Sequence, residues 1–174
     1  MPQSPGVGYH GGSCCLSILL RPSAMSEEHE HDHDHEHGLE YEEAINDAAQ
    51  ELLDLSQKLL EAIAAGDWDT YEELCDPTLS CFEPEARGHL VEGLEFHKFY
   101  FDLGAPSQTL KVTTMAAPHV RLIGEDAAVV SYVRLNQRVN AAGEPFVSAV
   151  EETRVWERID GEWKHVHFHR SPAP

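Results

Sequence analysis

Three arginines, Arg134, Arg154 and Arg170, are the residues of this sequence best suited to bind an anion. Each alternates with apolar or aromatic residues along a predicted β-strand, so each guanidinium is expected on a partly buried face. An unpaired guanidinium is very costly there, and each one needs an acceptor. In one interpretation the acceptors are acids of the same chain, such as Glu83, Glu85, Glu92 or Glu152. In the other, the arginines form a positive pocket for a small carboxylate.

Three histidines of the last predicted strand, His165, His167 and His169, recur at every second position. This spacing predicts that all three share one face of the strand. Imidazoles in such a row could bind a metal ion, or they could pack in an interface between chains. In that case protonation at about pH 6 is expected to loosen the assembly.

Five further histidines alternate with acids in a low-complexity segment, residues 27–40. They are His29, His31, His33, His35 and His37. Imidazoles and carboxylates suit Zn²⁺, Ni²⁺ or Cu²⁺, yet a defined site needs a fixed geometry, so a charged tail with incidental metal affinity is favoured. Residues 1–40 are predicted to be a disordered tail, within which Met25 could be an alternative start, and residues 41–174 to be the folded domain.

Composition and charge exclude several classes of function. The net charge is −19, and residues 1–40 hold only seven of the acids and one base, so the predicted domain is itself acidic. An acidic surface repels nucleic acid and anionic lipid, and no apolar stretch is long enough to cross a membrane. The four cysteines, Cys14, Cys15, Cys75 and Cys81, form neither a zinc spacing nor a disulfide framework. The sequence therefore predicts a cytoplasmic protein with reduced thiols and no cofactor.

The elements that must position these side chains are helices followed by strands. An apolar stripe at helical spacing, from Ile45 to Ile63, predicts a long helix that starts near Glu42 and ends at Gly66. A short helix over Trp68–Leu74 and a second, aromatic one in GLEFHKFYFDLG should follow, with short strands near Leu79–Phe82 and His89–Val91.

Four long strands are predicted after the helices, separated by turn signals. They cover Gln108–Leu122 (interrupted near Ala117), Ala127–Asn140, Phe146–Glu157 and Glu162–Arg170. The long helix can cover only one face of this antiparallel meander, although at least two strands carry large apolar groups on both faces. A second copy of the chain is the simplest cover for the other face, and the sequence thus predicts an α+β domain that associates with itself.

The string FEPEARGHLVEGLEFHKFYF resembles the association, or hub, domain of Ca²⁺/calmodulin-dependent protein kinase II. The resemblance continues in TTMAAPHVRLIGEDAAVVSYVRLNQ and EETRVWERIDGEWKHVHFHRSPAP, and it covers roughly residues 44–174. It implies a nuclear-transport-factor-2-like cone, in which a curved antiparallel sheet wraps a long N-terminal helix. It also implies dimers stacked into two-layered rings, possible co-assembly with hubs of a full-length kinase, and Phe99, Tyr100 and the three strand histidines at interfaces.

The same resemblance implies a pocket that binds small carboxylates such as γ-hydroxybutyrate analogues. By motif position its residues would be His97, Arg134, Arg154 and Arg170, and all four are present. Two places depart from the family: Ala117 replaces its usual Asn, and Arg121 replaces a second His of the same strand motif. The stretch Glu144–Val150 is also more apolar than usual.

Kinase activity and direct calmodulin regulation are not expected. The sequence contains no glycine-rich loop, no HRD or DFG motif and no basic amphipathic calmodulin-binding helix. One enzymatic alternative remains, because related cone folds include ketosteroid isomerases and polyketide cyclases that use a pocket carboxylate or histidine as general base. His97 and the nearby acids could play that role, but a shared fold alone is weak support for a shared reaction.

Overall fold

The computed structural model describes residues 34–104, 112–140 and 142–173, with side chains from residue 42 onward. Three α-helices and six strands make up this part of the chain. The helices are α1 (Asp34–Ala65), α2 (Trp68–Leu74) and α3 (Glu95–Asp102). The strands are β1 (Cys75–Phe82), β2 (Val91–Glu92), β3 (Val112–Ile123), β4 (Ala127–Val139), β5 (Pro145–Ile159) and β6 (Glu162–Pro172).

Helix α1 has the predicted apolar face, on which Ala49, Leu52 and Leu59 are fully enclosed. It begins at Asp34, inside the stretch expected to lie outside the fold, so residues 34–40 are helical. It ends before Gly66, whose φ of +74° is the left-handed conformation that suits glycine at a helix end. Helix α2 has the predicted bounds, and the side chain of Asp67 caps it by accepting a hydrogen bond from the Thr70 amide at 3.1 Å.

The sheet is curved and open, with strand order β2-β1-β6-β5-β4-β3. Strands β3 to β6 form the predicted antiparallel meander, and α1 packs on β3 and β4. The prediction of an α+β fold with a long helix on a curved sheet is therefore confirmed. One pairing was not predicted: β1 lies parallel to β6, so β6 is an interior strand of the sheet. The part of the first long strand predicted over residues 108–111 lies outside the described residues.

Two bulges interrupt the ladders. In β3 the register shifts between Ala116 and His119, where Ala117 takes a φ of +48°. In β6 it shifts because Trp156 pairs with His165 while Val155 pairs with His167, leaving Val166 as an extra residue. The bulge turns His165 to the face opposite His167 and His169. The prediction that these three histidines share one face is thus wrong for His165.

The core lies between the helices and the inner face of the sheet, the face toward α1. Its largest enclosed side chain is Trp156, which packs with Leu52, Leu59, Val130 and their neighbours. Burial of such side chains stabilises a fold by about 1.5–3 kcal/mol each. Every helix described for this chain falls short of a membrane-spanning apolar segment.

Candidate functional site

A cavity of about 270 Å³ opens on the inner face of the sheet beside α3. It holds all four residues predicted for the carboxylate pocket: His97, Arg134, Arg154 and Arg170. In total its lining includes four arginines, with Arg138 as the fourth, but only three glutamates. A chain with a net charge of −19 therefore has a local excess of positive charge inside this cavity.

Glu152 lines the cavity and joins two of its arginines. Its carboxylate accepts hydrogen bonds from Arg154 Nη2 at 2.7 Å and from the Tyr132 hydroxyl at 2.7 Å, and Arg134 Nη1 lies 3.5 Å away. Arg154 Nε in turn donates to the Tyr132 oxygen at 2.6 Å. Glu152 and Arg154 are each 2% exposed. One buried carboxylate thus serves two guanidinium groups, whereas the structural interpretation predicts only that each arginine pairs with an acid of the chain.

The charges of this network follow from burial and pairing. Burial opposes ionisation of Glu152, but Arg154 and Arg134 outweigh it and hold the carboxyl pKa below its usual value. Burial also opposes protonation of Arg154, yet Tyr132 and Glu152 outweigh it and raise the pKa of that guanidinium. For Arg134 the balance is opposite, because burial lowers its pKa more than Glu152 raises it. Arg134 is the incompletely compensated cation of the pair.

Arg134 also has N–H groups that no acceptor among the described residues takes up. Its Nε donates to Thr113 Oγ1 at 2.9 Å, and its contact with Glu152 is long at 3.5 Å. Among the described residues no acceptor takes a hydrogen bond from its Nη2, and the residue lines the cavity. An anion in the cavity could accept from this group.

Arg170 is held by two acids that also line the cavity. Its Nη2 donates to Glu83 Oε2 at 2.7 Å and also to Glu85. Burial disfavours the charge of Glu83, but His97 and Arg170 outweigh it and keep its pKa below the usual value. Three of the four acids named by the structural interpretation therefore pair with the arginines, while Glu92 lies outside this network of described ion pairs.

His97 on α3 lines the cavity beside Glu83 and is 6% exposed. Its Nε2 lies 3.4 Å from Cys81 Sγ and 3.6 Å from Glu83 Oε1, and its ring packs beside Tyr71 and Phe168. Its Nδ1 is buried without a hydrogen-bond partner in the described structure. The sequence pattern did not reveal the roles of Tyr132 and Cys81; for Tyr132, its position two residues before Arg134 was the available signal.

His165 belongs to the core side of the sheet. Arg154 Nη1 lies 3.2 Å from its Nε2, and Cys75 Sγ lies 3.6 Å from its Nδ1. A guanidinium only donates, so Nε2 accepts and the ring proton sits on Nδ1. Burial and the charge of Arg154 hold the His165 pKa well below its usual value, so the ring is neutral. With 0% exposure in its own protomer, it has no surface for the predicted contact with another copy.

The other residues predicted for interfaces lie at the surface. Phe99 is 60% exposed and Tyr100 43% exposed on α3, and His169 is exposed beside the ring of Phe82. His167 is half-buried, with its Nδ1 2.8 Å from Ser80 Oγ. Of the tail histidines, His29, His31 and His33 lie outside the described residues, and His35 and His37 fall in the first turns of α1.

A long helix on a curved open sheet, with a polar cavity between helices and sheet, defines the nuclear-transport-factor-2-like class of domains. An NTF2-like superfamily protein from Salmonella enterica shares this fold, with a TM-score of 0.61 and 21% identity over 75% of this chain and 94% of that chain. Residues 48–174 match the family model of the calcium/calmodulin dependent protein kinase II association domain. The chain belongs to this family, and it is an association module.

Two relatives show how far the similarity extends. The rabbit (Oryctolagus cuniculus) calcium/calmodulin-dependent protein kinase type II subunit delta is 46% identical over 134 residues, which are 76% of this chain and 25% of that protein. The chain therefore spans about a quarter of that curated relative. The hub homology domain of Chlamydomonas reinhardtii is 52% identical, with a TM-score of 0.68 over 73% of this chain and 98% of that chain.

Proposed function

We propose that residues 41–174 form dimers that stack into a two-layered ring, and that the arginine-lined cavity binds a small carboxylate. The ring is supported by the outer face of the sheet, the face turned away from α1. Val112 and Val147, which both align with Gln137 across the sheet, are 52% and 58% exposed. Leu135 aligns with Ala149 on the same face. An apolar sheet face of this kind is typical of an interface.

Native mass spectrometry and light scattering test the assembly. We expect a ring of dimers for the wild type, and a shift to smaller species for Val147→Asp, because a charge on the covered face would be desolvated. The control is Val147→Thr, which keeps the β-branched shape without adding a charge. A clean monomer of the wild type at micromolar concentration would contradict the proposal.

The carboxylate site is supported mainly by Arg134, which lines the cavity and whose Nη2 has no acceptor among the described residues. Arg170 and His97, which also line the cavity, would complete the site, while Arg154 is bonded to Glu152 and Tyr132 and would hold them in place. Calorimetric titration with γ-hydroxybutyrate tests this. We expect saturable binding that Arg134→Gln weakens more than about tenfold, the loss of one charged hydrogen bond. The matched control is Arg121→Gln on the outer face. Equal affinity in both variants would refute the assignment.

The isomerase or cyclase alternative places a general base in the same cavity, and His97 was its candidate. Its buried Nε2 faces Cys81 and Glu83. A panel of enolisable and epoxide substrates discriminates the two roles. Turnover that His97→Gln abolishes would establish the enzyme, whereas saturable carboxylate binding without turnover favours the binding role.

The partners follow from the family. Since the rabbit relative is by name a kinase subunit, we propose that this chain enters rings with hubs of a full-length kinase, in the cytoplasm. Co-purification of the native complex, with each subunit identified and weighed, tests this. Rings that contain this chain alone would limit the proposal to self-assembly.

A further inference from the structure

We propose that Cys81, Glu83 and His97 form a binding site for Zn²⁺ at the edge of the cavity. Their donor atoms, one sulfur, one carboxylate oxygen and one imidazole nitrogen, all lie within 4.8 Å of one another. The site shares His97 with the proposed carboxylate site, but its tests measure the metal alone and so can fail or succeed independently of the ring and of carboxylate binding. No metal-ligand spacing is visible along the chain here, because α3 brings His97 to β1 from a separate element.

The two distances that His97 makes to the other donors match those of zinc coordination, and the third pair, Cys81 and Glu83, lies within 4.8 Å. In a tetrahedral site with usual bond lengths, a thiolate sulfur and an imidazole nitrogen lie about 3.6 Å apart, and an imidazole nitrogen and a carboxylate oxygen about 3.4 Å. Here Cys81 Sγ lies 3.4 Å from His97 Nε2, and Glu83 Oε1 lies 3.6 Å from the same nitrogen. Both donors converge on one nitrogen of the imidazole. A nucleophilic triad would instead place the carboxylate on the other nitrogen, Nδ1, so the arrangement favours a metal ion over a catalytic cysteine.

The surroundings orient the donors. Arg170 holds Glu83 through Oε2 and leaves Oε1 directed to His97, an outer-shell contact of the kind that fixes metal ligands. Cys81 is fully enclosed, and the side chains of His97 and Glu83 are 7% and 8% exposed. Of the three proposed ligands, Glu83 and His97 line the cavity and Cys81 does not, so a fourth coordination position would face the cavity. Three protein ligands with one open position are typical of zinc sites that bind an exchangeable fourth ligand.

Zinc binds the thiolate form of cysteine, so it must displace the proton of the Cys81 thiol on binding. The positive charge of Arg170, which is paired with Glu83, opposes the ion.

The test uses the full chain with the potential metal ligands of the N-terminal tail removed, and we call this parent the tail-silenced chain. In it, Gln replaces His29, His31, His33, His35 and His37, and Ser replaces Cys14 and Cys15. We expect one Zn²⁺ per chain in a competition titration with a chromophoric chelator. Cys81→Ser should lower the Zn²⁺ affinity by more than about 100-fold. Loss of a residue that only supports a ligand lowers affinity by at most about 100-fold, so a larger loss identifies Cys81 as a ligand. The matched control is Cys75→Ser, the other enclosed free cysteine, which should bind as the parent does.

Co²⁺ gives a readout that does not depend on affinity. Thiolate ligation produces an intense near-ultraviolet charge-transfer band, and tetrahedral geometry produces visible d–d bands. Both are expected in the parent and in Cys75→Ser and absent in Cys81→Ser. Circular dichroism verifies folding. If Cys81→Ser does not fold, Glu83→Gln takes its place and its metal affinity should fall. Any Co²⁺ that Glu83→Gln still binds should show the sulfur charge-transfer band, because Cys81 is unchanged. Failure of the tail-silenced chain to bind either metal, or identical binding by Cys81→Ser, would overturn the proposal.

Discussion

Replacing Glu152 with Gln should destabilise the domain severely, although the shape of the side chain is nearly preserved. Glu152 is 2% exposed and is the single carboxylate within reach of both Arg134 and Arg154 among the described residues. Removing one partner of a buried ion pair typically costs about 3–5 kcal/mol, because an uncompensated charge stays buried. Arg134 borders the cavity and can hydrate there, so we expect a loss near the lower end, about 3 kcal/mol.

Urea unfolding followed by circular dichroism measures this difference, at one protein concentration because assembly contributes to apparent stability. The matched control is Glu151→Gln, the preceding residue of β5, which is exposed and should change stability by less than about 0.5 kcal/mol. In the Glu152→Gln background, Arg134→Met should recover part of the loss, because only one buried cation then remains.

A second measurement separates charge from packing. Acetate should stabilise Glu152→Gln more than the wild type, since it can supply the missing carboxylate to the two arginines. The reasoning is refuted if Glu152→Gln costs less than about 1 kcal/mol, or if acetate stabilises both proteins equally.

Three further predictions concern pH, backbone strain and packing. Because burial and the charge of Arg154 hold the His165 pKa well below its ordinary value of 6.5, stability should be complete above about pH 6.5 and fall as the pH drops below it, since the unfolded chain then binds the proton more readily. In a urea series across this range, His165→Gln should flatten the slope. Ala117→Asn should raise the free energy of unfolding by about 0.5–1 kcal/mol, because asparagine tolerates the φ of +48° better, whereas Ala116→Asn should not. Leu59→Ala should lower the free energy of unfolding by about 2–5 kcal/mol in the same assay, because Leu59 is fully enclosed. Leu55→Ala should lower it clearly less, because Leu55 is half-buried. Equal losses would contradict this assignment of the core.

The sequence predicts the local elements well, because their signals are local. Asp67 and the Asp76-Pro77 pair delimit α2, and alternation delimits the long strands. The bulge at Val166 carries no such signal, since one extra residue in a strand changes no pattern of types, and the face of His165 was therefore assigned wrongly. The arginines could be singled out from alternation, but their sharing of Glu152 depends on cross-strand register. The approach of His97 to Cys81 depends on how α3 docks, which periodicity does not determine.

The parallel pairing of β1 with β6 has a consequence for how this domain comes into being. The two strands are separated by about half of the sequence, yet β6 must insert between β1 and β5 to complete the sheet. During synthesis, the edges of β1 and β5 therefore wait for the last strand, with the side chains of the core exposed in the meantime. Contacts between segments so distant along the chain slow folding and expose aggregation-prone edges. If a ribosome stalled before β6, the open sheet of the unfinished chain could pair with a strand of a neighbouring chain. A pause in translation at this point would therefore favour misassembly.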